Sequence, residues 1–109
     1  IVGGGPAGAA SACLLAKAGR SVVLFEREAG PHHKVCGEFV SVEAAAYLER
    51  LGLDLFRLGA QPIHSVRLVR GSAESSSRLP FPAFSLSREV MDEALLQAAA
   101  DRGAETGAA

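Results

Sequence analysis

The chain opens with Ile1-Val2-Gly3-Gly4-Gly5-Pro6-Ala7-Gly8. This stretch places the spacing G-x-G-x-x-G directly after an apolar strand end and directly before an alanine-rich helical segment. Further along, the apolar run Val22-Val23-Leu24-Phe25 closes on Glu26, at about the distance expected for the acidic residue of this motif. The order of strand, glycine turn, helix, strand and acid predicts a β-α-β unit that binds the ADP half of a dinucleotide, with Glu26 accepting hydrogen bonds from the adenosine ribose. The alternative is a glycine-rich turn with an incidental acid.

Each residue of the opening motif has a physical task in that interpretation. Gly3 supplies the sharp turn from strand to helix, and Gly5 lets the backbone approach a pyrophosphate because it has no Cβ. Gly8 allows the helix and the strand to pack closely. Pro6 fits the first helical turn, where its missing N–H would have no partner in any case, and Ala7 follows it at the helix start that faces the phosphates.

Composition restricts the possible partners. The sequence is 49% hydrophobic and 21% charged, as in an ordinary globular protein, and its net charge of −1 gives no electrostatic reason to expect nucleic acid. It contains no apolar run of about 18 residues or more, so no transmembrane segment is predicted. The two cysteines, Cys13 and Cys36, form neither a metal-binding pair nor a disulfide framework, which favours a cytoplasmic location.

The sequence also predicts an order of elements. Helices are expected over 6–18, 41–50 and 88–102, with Ser41 and Ser87 as N-caps, and a short helical turn near 54–58. Strands are expected over 22–26, buried on both faces, over 63–70, with one apolar side, and over 79–86, as a proline-containing edge strand. Residues 27–40 are expected to form a long loop and 71–77 a polar turn.

These elements predict an α/β fold: a Rossmann-like FAD/NAD(P)-binding domain with a parallel sheet and a small antiparallel excursion. Residues 1–60 and 84–109 are expected to form the nucleotide-binding part, and 61–83 the excursion toward a substrate domain. Because the chain starts inside a strand and a further strand is expected to begin near its end, we expect an incomplete domain, the N-terminal part of a larger protein. A targeting segment upstream stays open.

Three segments resemble a large family of flavin-dependent oxidoreductases, which includes geranylgeranyl reductases and the aromatic-hydroxylase type of monooxygenase. They are Gly3–Gly8 with the strand through Arg27, the loop Lys34-Val35-Cys36-Gly37-Glu38-Phe39, and Ser87-Arg88-Glu89-Val90-Met91-Asp92. The loop looks most like the geranylgeranyl-reductase branch, and the likeness covers nearly the whole chain. The resemblance implies FAD as cofactor, bound in an extended form.

The resemblance also implies which residues contact that cofactor. The loop at Lys34–Glu38 would run beside the flavin end, and Arg88 would reach the ribityl or phosphate region, where its charge suits an anionic pyrophosphate. Cys36 lacks the second redox cysteine of the disulfide reductases, so it is interpreted as a small packing residue near the ring, with Gly37 letting the backbone pass. The cofactor-binding residues expected on these grounds are Gly3, Gly5, Pro6, Ala7, Gly8, Glu26, Arg27, Lys34, Cys36, Gly37 and Arg88.

The function implied is a two-electron flavoenzyme, with NAD(P)H as donor, that either saturates an isoprenoid-type double bond or activates oxygen for hydroxylation. Its substrate would be an apolar small molecule, and a peripheral membrane location would suit such a substrate. No residue of the sequence can be assigned to acid–base catalysis on the substrate, and the adjacent His32 and His33 lack metal-ligand spacing. Two alternatives stay open: an NAD-binding dehydrogenase domain, and a non-catalytic truncated chain that is marginally stable and binds FAD poorly.

Overall fold

The computed structural model describes residues 1–36 and 38–108, which form three helices and five strands. In chain order they are α1 (Pro6–Lys17), β1 (Val23–Glu26), β2 (Phe39–Ser41), α2 (Val42–Arg50), β3 (Gln61–Arg70), β4 (Ala73–Ser85), α3 (Arg88–Asp101) and β5 (Glu105–Ala108). The strands belong to two sheets, of which one is parallel and the other antiparallel. The predicted α/β class, with a parallel sheet and an antiparallel excursion, is confirmed.

The parallel sheet holds the glycine motif in place. β1 pairs in parallel with β5, and on its other side it pairs with the first residues of the chain. There the Phe25 N–H donates to the Ile1 carbonyl at 2.9 Å, and the Gly3 N–H donates to the Phe25 carbonyl at 2.8 Å. The chain therefore enters the glycine turn from a strand position next to β1, and β1 ends beside that turn at Glu26.

The core extends from the space between the parallel sheet and the helices α1 and α3 to the buried residues around α2. Leu24 and Leu95 are fully buried, together with the small residues Ala9, Ala12 and Cys13 of α1, as their spacing on one helical face predicts. The Cys13 thiol donates to the Leu95 carbonyl at 3.5 Å. Burial raises the pKa of this thiol, and the charge of Arg102 partly opposes that rise. Cys13 is therefore a core residue that joins the two helices.

The prediction that β1 is buried on both faces was wrong. Val23 and Phe25 are 40% and 43% exposed, whereas Leu24 between them is fully buried. The reason is that α1 and α3 lie on the same side of the sheet as Leu24. No element of the described residues covers the opposite side.

The antiparallel sheet has the strand order β2-β4-β3. The predicted polar turn at 71–77 is only a turn at 71–72, because the serine-rich stretch pairs with β3 as the start of β4. The prediction of an edge strand over 79–86 was also wrong, since residues 83–85 lie between β2 and β3. Pro80 and Pro82 are tolerated because a register shift between Ile63 and Ser65 leaves this part of β4 outside the regular ladder.

Two smaller predictions were also corrected, and a third agrees with the structure. The expected apolar side of β3 is not covered, since Val66 and Leu68 are 44% and 69% exposed. The loop predicted over 27–40 ends earlier, because Phe39 already pairs with Ser85. The single helical turn predicted near 54–58 is present: the Leu58 N–H donates to the Asp54 carbonyl at 3.1 Å, and the Asp54 side chain accepts from the N–H groups of Phe56 and Arg57.

Candidate functional site

The glycine turn has the geometry that its sequence predicts. Gly3 has a φ of +98°, in the left-handed region that favours glycine. A Cβ on Gly8 would lie 1.9 Å from the Gly3 carbonyl oxygen, a backbone atom that cannot move aside. At Gly5, in contrast, the nearest neighbour of a Cβ would be the Arg88 guanidinium at 4.0 Å. Gly8 is therefore required by packing, whereas the space in front of Gly5 is open.

The middle glycine, Gly4, is a functional position that the sequence analysis missed. Its N–H donates to Glu26 Oε2 at 2.5 Å, and a Cβ there would lie only 3.0 Å from that oxygen and from the Leu96 side chain. Gly4 thus brings the end of β1, the glycine turn and α3 together. The motif requires glycine at positions 3 and 5 but not at position 4, so the additional glycine was the sequence feature that could have indicated this contact.

Glu26 is held by the backbone around it. Its Oε1 accepts from the N–H groups of Arg27 at 2.7 Å and Glu28 at 3.1 Å, in addition to the Gly4 N–H at Oε2. These hydrogen bonds, that of Glu28 above all, lower the pKa of Glu26, and the charge of Lys34 acts in the same direction. The carboxylate is therefore fixed in its ionised form at the end of β1, where lone pairs stay free for hydroxyl donors.

Arg88 lies at the start of α3, facing the glycine turn. Its Nε and Nη2 donate to the two carboxylate oxygens of Asp92 at 2.8 and 2.9 Å, and both side chains are largely buried. The hydrogen bond to Asp92 raises the pKa of Arg88 against the opposing effect of burial, and the Cys36 side chain adds a smaller contribution in the same direction. Arg88 is thus a fixed cation beside Gly5.

These residues surround a cleft of about 360 Å³ between the glycine turn, the loop after β1, α3 and β5. Of the predicted residues, Gly5, Glu26 and Lys34 line the cleft, and Arg88 stands next to Gly5. The sequence analysis missed much of its wall, which α3, the loop and β5 supply: His32, Glu89, Asp92, Glu93, Leu96 and Thr106. They could not be found from local motifs, because the tertiary fold alone brings these elements to the end of β1.

Other predicted residues lie outside the lining of the cleft. The Arg27 side chain is exposed and pairs with Glu28 at 3.2 Å, so the structure does not bring it to the site. Pro6 and Ala7 form the first turn of α1, whose N-cap is Gly5. Cys36 is exposed and accepts from the Glu38 N–H at 3.4 Å. The prediction for Gly37 lies outside the described residues.

The arrangement fits the ADP half of a dinucleotide. The open space at Gly5 lies at the N-terminus of α1, where free N–H groups and the helix dipole favour phosphate, and Arg88 stands beside it. Glu26 offers a carboxylate at the end of the next strand, the position from which the acidic residue of this motif accepts hydrogen bonds from the ribose. Within residues 1–36 and 38–108 there is no group of three or more potential metal ligands, and no helix has the length and apolar character needed to cross a membrane.

Comparisons with known proteins agree with this geometry. Menaquinone reductase of Mycolicibacterium smegmatis is 34% identical over 96% of this chain, which spans 27% of the length of that relative. The solved structure of the flavin-dependent brominase Bmp2 is similar with a TM-score of 0.79 and 26% identity, over 98% of this chain and 28% of that one. A geranylgeranyl bacteriochlorophyll reductase-like protein of Thermoplasma acidophilum shares the fold, with a TM-score of 0.73 and 23% identity over 98% of this chain and 28% of its own.

The resemblance to flavin-dependent oxidoreductases found in the sequence is confirmed by these similarities. Residues 1–67, more than half of the chain, match the family of NAD(P)-binding Rossmann-like domains. The match includes the glycine turn, β1 with Glu26, and the loop with Lys34 and Cys36. The chain therefore belongs to the NAD(P)-binding Rossmann-like domain family.

Proposed function

We propose that this chain is the FAD-binding part of a flavin-dependent oxidoreductase. The observation that carries the proposal is the open space at Gly5, which has Arg88 on one side and the cleft with Glu26 on the other. The similarity to Bmp2, which is described as flavin-dependent, favours FAD over NAD as the dinucleotide. The resemblance of the loop at Lys34–Glu38 to flavin-dependent reductases supports the same choice.

Each residue has a binding task in this proposal. The backbone at Gly5, with Pro6 and Ala7 in the first turn of α1, receives the pyrophosphate, and Arg88 neutralises part of its charge. Arg88 can do so without leaving Asp92, because its Nη1 has no hydrogen bond to the carboxylate. Glu26 accepts hydrogen bonds from the ribose hydroxyls. Bound FAD would supply the two-electron chemistry.

Lys34 and Cys36 belong to the flavin side in this proposal. Lys34 lines the cleft and lies close enough to Glu26 to act on its pKa. Its ammonium can therefore offset the negative charge of the acidic side chains that α3 contributes to the cleft, Glu89, Asp92 and Glu93, when an anionic ligand binds. Cys36 adds to the raised pKa of Arg88, and in this proposal it serves as a small neighbour of the ring. Gly37 would let the backbone pass there.

For the whole protein we propose reduction of an isoprenoid-type double bond in an apolar substrate, with NAD(P)H as the electron donor. The support is the name menaquinone reductase of the relative in Mycolicibacterium smegmatis and the resemblance of the loop to geranylgeranyl reductases. The exposed strands β3 and β4, within residues 61–83, would extend toward the substrate domain. The second candidate, an oxygen-activating flavoenzyme, is favoured by the similarity to Bmp2.

The test is a visible absorption spectrum of the complete natural polypeptide that carries these residues, purified anaerobically and then mixed with NADPH. We expect a bound-flavin spectrum that bleaches. The matched variant is Gly5→Ala, which should keep the fold because a Cβ finds open space there, yet lower FAD affinity by at least about tenfold because the methyl group occupies the phosphate position. A protein that takes up no flavin after incubation with FAD would refute the proposal and favour an NAD-binding domain.

A further inference from the structure

The loop after β1 contains a histidine that neither the motif nor the resemblance assigns. His32 lines the cleft, and its Nδ1 lies 3.1 Å from the Gly30 carbonyl oxygen. Its other ring nitrogen, Nε2, is buried and has no hydrogen-bond partner. Among the side chains of residues 1–36 and 38–108, this is the one buried nitrogen or oxygen atom without a partner.

The hydrogen bond at Nδ1 decides what Nε2 can do. A carbonyl oxygen only accepts, so the proton of the neutral ring is on Nδ1 and Nε2 carries a lone pair. A buried acceptor without a donor is unfavourable, because it has lost its water and gained nothing in exchange. Such an atom in a ligand cleft is most simply explained by a donor that the ligand brings.

We propose that His32 is a cofactor-positioning residue, whose Nε2 accepts a hydrogen bond from the adenosine half of the bound dinucleotide. This inference rests on the proposed dinucleotide function of the cleft. Adenosine offers two kinds of donor near Glu26, the exocyclic amine of adenine and the ribose hydroxyls. Nε2 is covered in the structure, so binding of the ligand has to expose it.

The neighbouring histidine supplies a matched control. His33 Nε2 pairs with Glu89 Oε2 at 3.1 Å, and its side chain is 85% exposed. This pair ties the loop to α3; Glu89 lines the cleft, whereas His33 does not. His32 therefore lines the cleft with an unpartnered Nε2, whereas His33 lies outside the lining and its Nε2 is already paired.

The experiment is calorimetric titration of the complete natural polypeptide with ADP, inosine diphosphate, 2′-deoxy-ADP and 3′-deoxy-ADP. In His32→Leu we expect ADP affinity to fall about five- to tenfold, the loss of one hydrogen bond, while His33→Leu stays within about twofold of the wild type. His32→Gln keeps an acceptor near the position of Nε2 and should recover most of the loss. Melting temperatures of all variants show whether each is folded.

The analogues identify the donor. If the adenine amine is the donor, inosine diphosphate binds the wild type and His32→Leu equally; if the ribose 2′-hydroxyl is the donor, 2′-deoxy-ADP does so, and if the 3′-hydroxyl is the donor, 3′-deoxy-ADP does so. An equal loss for all four ligands in His32→Leu, or no loss for any, would overturn the role of His32 while leaving the dinucleotide site intact. A wild-type protein that binds neither ADP nor FAD would overturn the proposed function, and the inference with it.

Discussion

At the scale of single residues, two glycines of the same motif act in opposite ways. A Cβ on Gly8 would meet the Gly3 carbonyl oxygen at 1.9 Å, so Gly8→Ala has to push the strand end away from α1. We expect Gly8→Ala to lower the free energy of unfolding by about 3 kcal/mol or more, as in severe overpacking. Urea unfolding followed by circular dichroism measures this, with Gly5→Ala as the control that should unfold like the wild type. Equal stability of the two variants would contradict the packing role of Gly8.

Glu26 gives the molecule a predictable dependence on pH. Its pKa in the folded protein is lowered by backbone donors, that of Glu28 first, so the ionised carboxylate stabilises the fold. This contribution is fully present above the ordinary pKa of 4.5 and is lost as the pH falls through the lower pKa of the folded state. We expect the difference in unfolding free energy between the wild type and Glu26→Gln to be largest near pH 7 and to shrink below about pH 4.5.

Urea titrations at several pH values between about 3 and 7 measure that difference. Glu49→Gln, on an exposed position of α2, is the matched control, and its difference from the wild type should change little over the same range. If the curves of Glu26→Gln and the wild type run parallel, the backbone hydrogen bonds to the carboxylate do not govern this part of the pH dependence.

At the scale of elements, two helices begin at serines whose hydroxyls accept from the backbone. Ser41 Oγ accepts from the Ala44 N–H at 3.2 Å, and Ser87 Oγ from the Val90 N–H at 3.3 Å. We expect Ser41→Ala and Ser87→Ala each to cost about 1 kcal/mol of stability. Ser11→Ala is the control, since Ser11 lies inside α1 and donates to the Ala7 carbonyl, and it should be neutral or slightly stabilising. Three equal effects in urea unfolding would argue against capping.

The same elements show what the sequence could predict. Caps and left-handed glycines are local, so the bounds of α2 and α3 and the stops at Gly19 and Gly103 agree with the prediction. The serine-rich start of β4 could not be predicted, because a run of polar residues is typical of a turn and only the pairing with β3 makes it a strand. The same holds for the cleft. Gly5 and Glu26 could be predicted because they belong to a local sequence motif, whereas His32 and the acidic residues of α3 reach the site only through the tertiary fold.

At the scale of the whole molecule, the two sheets differ in how much core they support. The parallel sheet packs against α1 and α3, while most residues of β3 and β4 are exposed. Arg102 joins the region around α2 to α3, since its guanidinium donates to the carbonyls of Ala98 and Leu51, both at 2.7 Å. The proposed nucleotide cleft is lined by no residue of β3 or β4, so binding there should depend on the stability of the parallel sheet more than on these two strands.

That dependence leads to a prediction for the 109-residue chain studied by itself. Its largest fully buried side chains are only Leu24, Leu95 and Cys13, whereas Phe25 and Val2 on the parallel sheet are 43% and 87% exposed. We expect a marginally stable chain that unfolds over a broad range of urea, self-associates through its apolar surface, and binds FAD more weakly than micromolar. Phe25→Thr should reduce self-association in sedimentation velocity without loss of stability, while Leu24→Ala, which removes buried contacts, should abolish the folded state. A cooperative melt combined with micromolar FAD affinity would refute this expectation and would mean that α1, α3 and two paired strands form a sufficient nucleotide-binding unit.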